Sequence, residues 1–101
     1  RQDEALAEAR SVLADVIDVF GPESEPAAAA YRVLASALHA KKAYAEAVDA
    51  IERTLEIERT LFGPDHRDAI TALNNLAVTL LAVDTTAARA RAIPIIREAI
   101  E

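Results

Sequence analysis

The sequence predicts an all-α chain of about five helices stacked as antiparallel pairs, and three observations carry that expectation. Phe20-Gly21-Pro22 recurs as Phe62-Gly63-Pro64, 42 residues further on (62 − 20 = 42); self-similarity at a fixed spacing fixes an architecture before any single helix is argued. About a quarter of the chain is alanine, the strongest helix former and one that lets helices approach closely. Between the punctuating triplets, apolar residues recur every three or four positions, the spacing of one helix face.

The first helix is expected over residues 2–20, with Ala5, Ala9, Val12, Leu13, Val16 and Val19-Phe20 forming its apolar set. Gly21-Pro22 stops it, glycine supplying a left-handed closing conformation and proline refusing to continue the ladder. Ser24 is the expected N-cap of a second helix, with Pro26 in its first turn. That helix runs to about Ala40, where Lys41-Lys42 suits the C-terminal carbonyls.

The third helix is expected from Tyr44 to Phe62, with an apolar stripe about 160° wide. Glu58 falls inside this stripe, where the earlier unit has Val16. It is read as a carboxylate reaching solvent or a nearby arginine; the competing reading is a charge exposed to a partner. Asp65, with Asp68 three residues on, is the expected cap of a fourth helix from about His66 to Val83. Asp84-Thr85-Thr86 breaks it. Pro94 would cost about 3 kcal/mol in a helix interior, so the regular start of the fifth helix is placed near Arg89 to Arg91, with any earlier turn kinked.

Bulk properties exclude several classes of function. With 101 residues the chain has room for one domain, and residues 1–101 are read as such. The net charge of −6 argues against nucleic acid and against an anionic membrane surface. There is no cysteine, hence no disulfide or thiolate chemistry, which fits a cytoplasmic setting. No apolar run approaches the roughly 20 residues needed to span a bilayer. The chain opens on Arg1 and contains no methionine, so a fragment of a longer protein is expected.

A shift of 42 lays Ala5 on Ala47, Leu13 on Leu55, Leu34 on Leu76 and Leu38 on Leu80. After Val83 the register slips by three, so that Ala47 matches Ala92, Ile51 matches Ile96 and Leu55 matches Ile100. The unit contains Tyr31-x2-Leu34-Ala35-x2-Leu38 and Leu73-x2-Leu76-Ala77-x2-Leu80, followed by Ala47-x3-Ile51 and Ala92-x3-Ile96. This resembles the tetratricopeptide repeat family. The phrases Phe62-Gly63-Pro64-Asp65-His66, Ala72-Leu73-Asn74-Asn75-Leu76-Ala77 and Ala92-Ile93-Pro94-Ile95-Ile96 are similar to the kinesin-light-chain type of that repeat. Arg67, where the family often has proline, and Tyr31-Arg32-Val33, in place of a Leu-Asn-Asn phrase, depart from it. The resemblance implies a right-handed superhelical stack, an α-solenoid, with an orphan helix over 2–20 and repeats over 24–62 and 65–101.

Catalysis finds little support. His39 and His66 stand 27 residues apart (66 − 39 = 27) with no metal-ligand spacing, so neither a metal site nor a cofactor is expected. Both glycines are already used as helix stops, leaving no phosphate loop. Acidic positions such as Asp49, Glu52 and Glu56 read as solvated faces. The resemblance implies that the first helix of each pair lines a concave groove, here residues 26–40 and 66–83. It places Arg32, Ser36, His39, Thr71, Asn74, Asn75 and Val78 along that groove. Asn75 is the expected holder of a bound peptide backbone, since an amide donates and accepts at once. Against this, Asn75 can bond to neighbouring helices or water, and Val33 stands at the matching position one unit earlier. Arg32 is the expected partner of an acidic group or C-terminal carboxylate.

The expected function is a protein–protein interaction module or scaffold whose partner is a protein or peptide. The alternative is a structural spacer or intramolecular regulatory segment with no partner in trans. Stacked repeats usually need about three units and polar ends. The apolar residues Val12, Val16 and Val19 near one end, and Ile93, Ile96 and Ile100 near the other, therefore predict self-association or marginal stability.

Overall fold

A computed structural model describes residues 2–83 and 85–100. Arg1, Asp84 and Glu101 lie outside the described residues, and with them the break expected at Asp84 and the final residue of the last unit. Five helices follow in order: α1 Gln2–Phe20, α2 Glu25–Ala40, α3 Tyr44–Phe62, α4 Arg67–Val83 and α5 Thr86–Ile100.

Each helix packs chiefly on the one before and the one after it. Three ion pairs cross between alternate helices: Arg10 to Glu46 at 2.9 Å, Arg91 to Glu52 at 3.1 Å, and Arg59 to Glu98. They lace α1, α3 and α5 into one row, leaving α2 and α4 as the other. All six groups are at least one-third exposed, so each pair contributes about 0.2–1 kcal/mol and serves alignment more than stability. The particle measures 35 × 31 × 17 Å. Its thin dimension holds two helix layers, each about 10 Å across.

Alanine sets the close approach of the rows. Ala47, Ala69 and Ala92 are completely buried in the main core, where Leu34, Leu38, Leu55, Leu73, Leu76 and Leu80 fill the spaces between them. A second, smaller cluster joins Ala27, Ala28 and Ile57 to the half-buried Val16, Ile17 and Tyr31.

The helix ends explain the punctuation. Gly63 donates its N–H to Arg59 C=O at 3.0 Å, and Gly21 donates to Ile17 C=O at 2.9 Å. Gly63 adopts φ 92° and ψ 160°, which corrects the expected left-handed helical closure: this is an extended region reached essentially only by glycine. No atom crowds a Cβ at either glycine, so backbone conformation and not space requires the residue. Ser24 caps α2 as expected, accepting from Ala27 N–H at 3.2 Å while donating to Gly21 C=O at 2.9 Å. At the far end, Lys42 takes φ 62°. Its N–H reaches His39 C=O and the N–H of Ala43 reaches Leu38 C=O, each at 2.9 Å, the paired bonds of a Schellman motif.

Two expected helix starts need correction. The cap of α4 is His66, not Asp65: its Nδ1 accepts from Asp68 N–H at 3.2 Å, and its C=O accepts from Ile70 N–H at 3.1 Å. Stacking on Phe62, with ring centroids 4.8 Å apart, holds the imidazole there. Helix α5 begins at Thr86, earlier than the Arg89–Arg91 start, because Thr85 caps it. Thr85 Oγ1 accepts from Ala88 N–H at 3.1 Å and its C=O accepts from Arg89 N–H at 3.0 Å. Pro94 therefore lies inside the helix and not in its first turn. Pro94 and Ala90, whose carbonyl loses its partner four residues on, are both on the exposed side, where water replaces the missing bond.

Candidate functional site

Helices α2 and α4 lie side by side over α3 and leave a groove between them. Its open cavity holds about 270 Å³. From α2 come Arg32, Ala35, Ser36 and His39; from α4 come Asp68, Thr71, Ala72, Asn75, Val78 and Thr79; Ile51 and Thr54 of α3 form the floor. Both walls follow helical spacing, so each helix turns one continuous face to the groove.

Six of the seven residues expected on the groove line this cavity: Arg32, Ser36, His39, Thr71, Asn75 and Val78. Asn74 is exposed but does not line it. The stacking geometry gives the reason. Arg32 sits on the side of α2 that faces α4, and Asn74, 42 residues on, sits on the corresponding side of α4, which points away from α2. Asp68, Thr54 and Thr79 also line the groove, although the residue pattern did not single them out. The periodicity held a signal for Asp68, since it precedes Thr71 by three residues and Asn75 by seven, on one α4 face.

The groove's hydroxyls and amides differ in how far they are committed. Thr54 Oγ1 donates to Ala50 C=O at 3.1 Å, and Thr79 Oγ1 donates to Asn75 C=O at 2.8 Å, so both are occupied within their helices. The Asn75 side-chain amide and the Ser36 hydroxyl make no hydrogen bond among the described residues, and both residues are exposed. His39 closes the other end, edge-on to Tyr44 with ring centroids 5.0 Å apart. Val78, 61% exposed, is an apolar projection on the α4 wall.

Glu58 meets the arginine half of its expectation, since Arg32 pairs with it, and departs from the rest. It neither reaches solvent nor offers an exposed charge, since only 1% of the residue is accessible. Neither carboxylate oxygen has a hydrogen-bond partner. The nearest cation is Arg32, with Nε 3.7 Å from Oε1, an ion pair but not a hydrogen bond. Burial pushes the Glu58 carboxyl above the ordinary range; Arg32 and His66 draw it down, and Asp68 adds to the rise. Ile51, Thr54 and Glu58 succeed one another at three- and four-residue steps on one face of α3. Glu58 itself does not line the cavity; it lies buried one turn beyond Thr54, behind the Arg32 side chain that does.

Among the described residues no group of three or more His, Cys, Asp or Glu is placed to hold a metal ion, and no helix is long and apolar enough to cross a membrane.

Comparison with known proteins agrees with this architecture. A sequence profile described as tetratricopeptide repeat matches residues 26–92, from the first turn of α2 to the middle of α5. No curated protein matches the chain significantly. The match spans the groove, both of its walls and its floor, and it covers well over half of the sequence. The chain belongs to the tetratricopeptide repeat family.

Proposed function

We propose that the chain binds an extended segment of a partner protein in the groove between α2 and α4. Tetratricopeptide repeats are non-catalytic modules that generally mediate protein–protein interaction. The observation that carries the proposal is the pairing, on one groove wall, of an uncommitted Asn75 amide with the exposed Val78 side chain. An extended backbone offers alternating N–H and C=O groups, and an amide serves both. An apolar side chain on the segment would cover Val78. Within the family we assign the chain to the kinesin-light-chain type, on the Phe62-to-His66 and Ala72-to-Ala77 phrases.

A peptide array probed with the purified chain tests the groove. Sequences retained by the parent should be lost or weakened about tenfold with Asn75→Ala and with Val78→Asp, while far-ultraviolet dichroism stays unchanged. Retention by both variants would refute binding in the groove.

We also infer self-association through the outer apolar faces. Val12, Val19 and Phe20 of α1, and Ile93, Ile96 and Ile100 of α5, are all more than one-third exposed, whereas Val16, expected on the same face, is half-buried against Ala27, Ala28 and Ile57.

A further inference from the structure

Glu58 is used by nothing described so far. A carboxylate with 1% accessibility and two oxygens without donors is costly unless something pairs with it. Position 16, its counterpart one unit earlier, carries valine, so the repeat architecture itself does not call for an acid there. Arg32 answers the charge imperfectly. Its Nε remains at 3.7 Å, and nearly half of the side chain stays in water. Asp68 lines the same end of the groove and raises the Glu58 carboxyl electrostatically. Glu58 thus lies just behind the groove wall, and Arg32 and Asp68, which line the groove, act on its charge together with His66, in a chain of net charge −6.

We propose that this end of the groove is a seat for a basic side chain of the bound segment, with Glu58 as its buried acceptor, Asp68 as its outer acceptor and Arg32 as a resident counter-ion that gives way. The proposal rests on the groove reading above and adds the chemistry of the ligand. A lysine ammonium brings three donors on a flexible stem. It can satisfy both Glu58 oxygens and still reach Asp68, which the single Nε of Arg32 does not do at its present distance. The displaced guanidinium is already half hydrated, so moving it fully into water costs little. The acceptors gain more from the exchange than the arginine loses. Arg32 is thus a stand-in for the ligand's cation and not a clamp for an anion.

The experiment uses the 101-residue chain and three peptides, Ac-Gly-Ala-Xaa-Ala-Gly-NH2 with lysine, acetyl-lysine or glutamate at the centre. Each is titrated to millimolar concentration while backbone amide resonances are followed. The lysine peptide should shift the amides of Arg32, Glu58 and Asp68, and acetylation should weaken it about tenfold. Glu58→Gln should weaken the lysine peptide to a similar extent without lowering the melting temperature. Arg32→Ala, which empties the seat, should strengthen it. Equal binding of the acetylated peptide, undiminished binding by Glu58→Gln, tighter binding of the glutamate peptide, or no shift at these three residues would overturn the seat. Failure of the two readings is distinguishable. Equal shifts at Thr71, Asn75 and Val78 with both lysine and acetyl-lysine peptides would leave the groove standing and remove the seat. Shifts confined to Arg32, Glu58 and Asp68 would keep the seat and remove the Asn75–Val78 contacts along the rest of the groove.

Discussion

Arg32 Nε stands 3.7 Å from Glu58 Oε1, with the arginine side chain nearly half exposed and the carboxylate 1% exposed. The asymmetry decides the energetics. The arginine keeps about half of its exposure to water, while the glutamate has surrendered its own and receives no hydrogen bond in return. An ion pair repays buried charge only when its geometry is close and the remaining lone pairs are satisfied, and neither condition is met here.

Replacing Glu58 should therefore stabilise the fold at neutral pH. Glu58→Leu, of similar length and placed beside Ile57 and Thr54, is expected to gain about 1–4 kcal/mol in urea unfolding at pH 7. A loss of stability would show that the carboxylate is satisfied in a way its surroundings do not reveal.

The same residue gives the pH dependence a sign. Burial raises the folded-state value above the reference of 4.5, so between the two values the folded chain holds a proton that the unfolded chain has lost. The Glu58 contribution is most favourable below 4.5 and is lost as pH rises through the folded value. Every other titrating group is common to the two proteins, so the difference between parent and Glu58→Gln is the quantity to measure. That difference should be near its minimum at pH 4 and grow in favour of the variant toward neutrality. A constant difference across this range would contradict the assignment.

Much of this architecture was legible in the residue pattern, and the exceptions share a cause. The bounds of α1 and α3 and the Ser24 cap follow from spacing and from the shape of one side chain at a time, while the six groove-lining residues follow from the family resemblance. His66, Pro94 and Glu58 do not. Histidine caps α4 because Phe62 of the preceding helix stacks against it, a contact between elements. Pro94 is tolerated inside α5 because burial of Ala88 and Ala92 holds the helix on one side while the proline faces outward. Glu58 is buried with Arg32 of α2 set against it, a contact between elements, although a charge in an apolar stripe ordinarily turns to water. Asn74 is the converse case: its place on the helix was right, but which side of α4 adjoins α2 is set by the stack.

Lys42 carries a removable cost. A non-glycine residue at φ 62° pays for its Cβ in a conformation that glycine adopts freely. Lys42→Gly retains the N–H that reaches His39 C=O and should stabilise the chain by about 0.5–1 kcal/mol, read from the shift in urea midpoint. An unchanged or lower midpoint would mean that the lysine side chain contributes enough to offset the backbone.

Pro94 is the second such site. Substitution with alanine restores an N–H for the Ala90 carbonyl on an exposed helix face, so Pro94→Ala should stabilise α5 by up to about 3 kcal/mol. Amide exchange offers the local measurement, since Ile95 and Ile96 should become better protected. Unaltered exchange with unaltered stability would indicate that the helix already accommodates the proline without cost.

The outer faces predict behaviour at high concentration. Val19 and Phe20 on α1 are 71% and 59% exposed, and Ile93 and Ile100 on α5 are 54% and 80% exposed. In a repeat stack such faces are normally covered by the next unit, because a single helix pair cannot bury its own apolar surface. Ile100 makes the point sharply: Leu55, its counterpart in the preceding unit, is only 7% exposed. Light scattering should give a mass that rises above 10.8 kDa with concentration. Placing a charge at Ile93 or at Val19 should return it toward that value, because each charge would have to be desolvated on contact. A monomer at every concentration, in the parent and in both variants, would show that these exposed residues do not drive association.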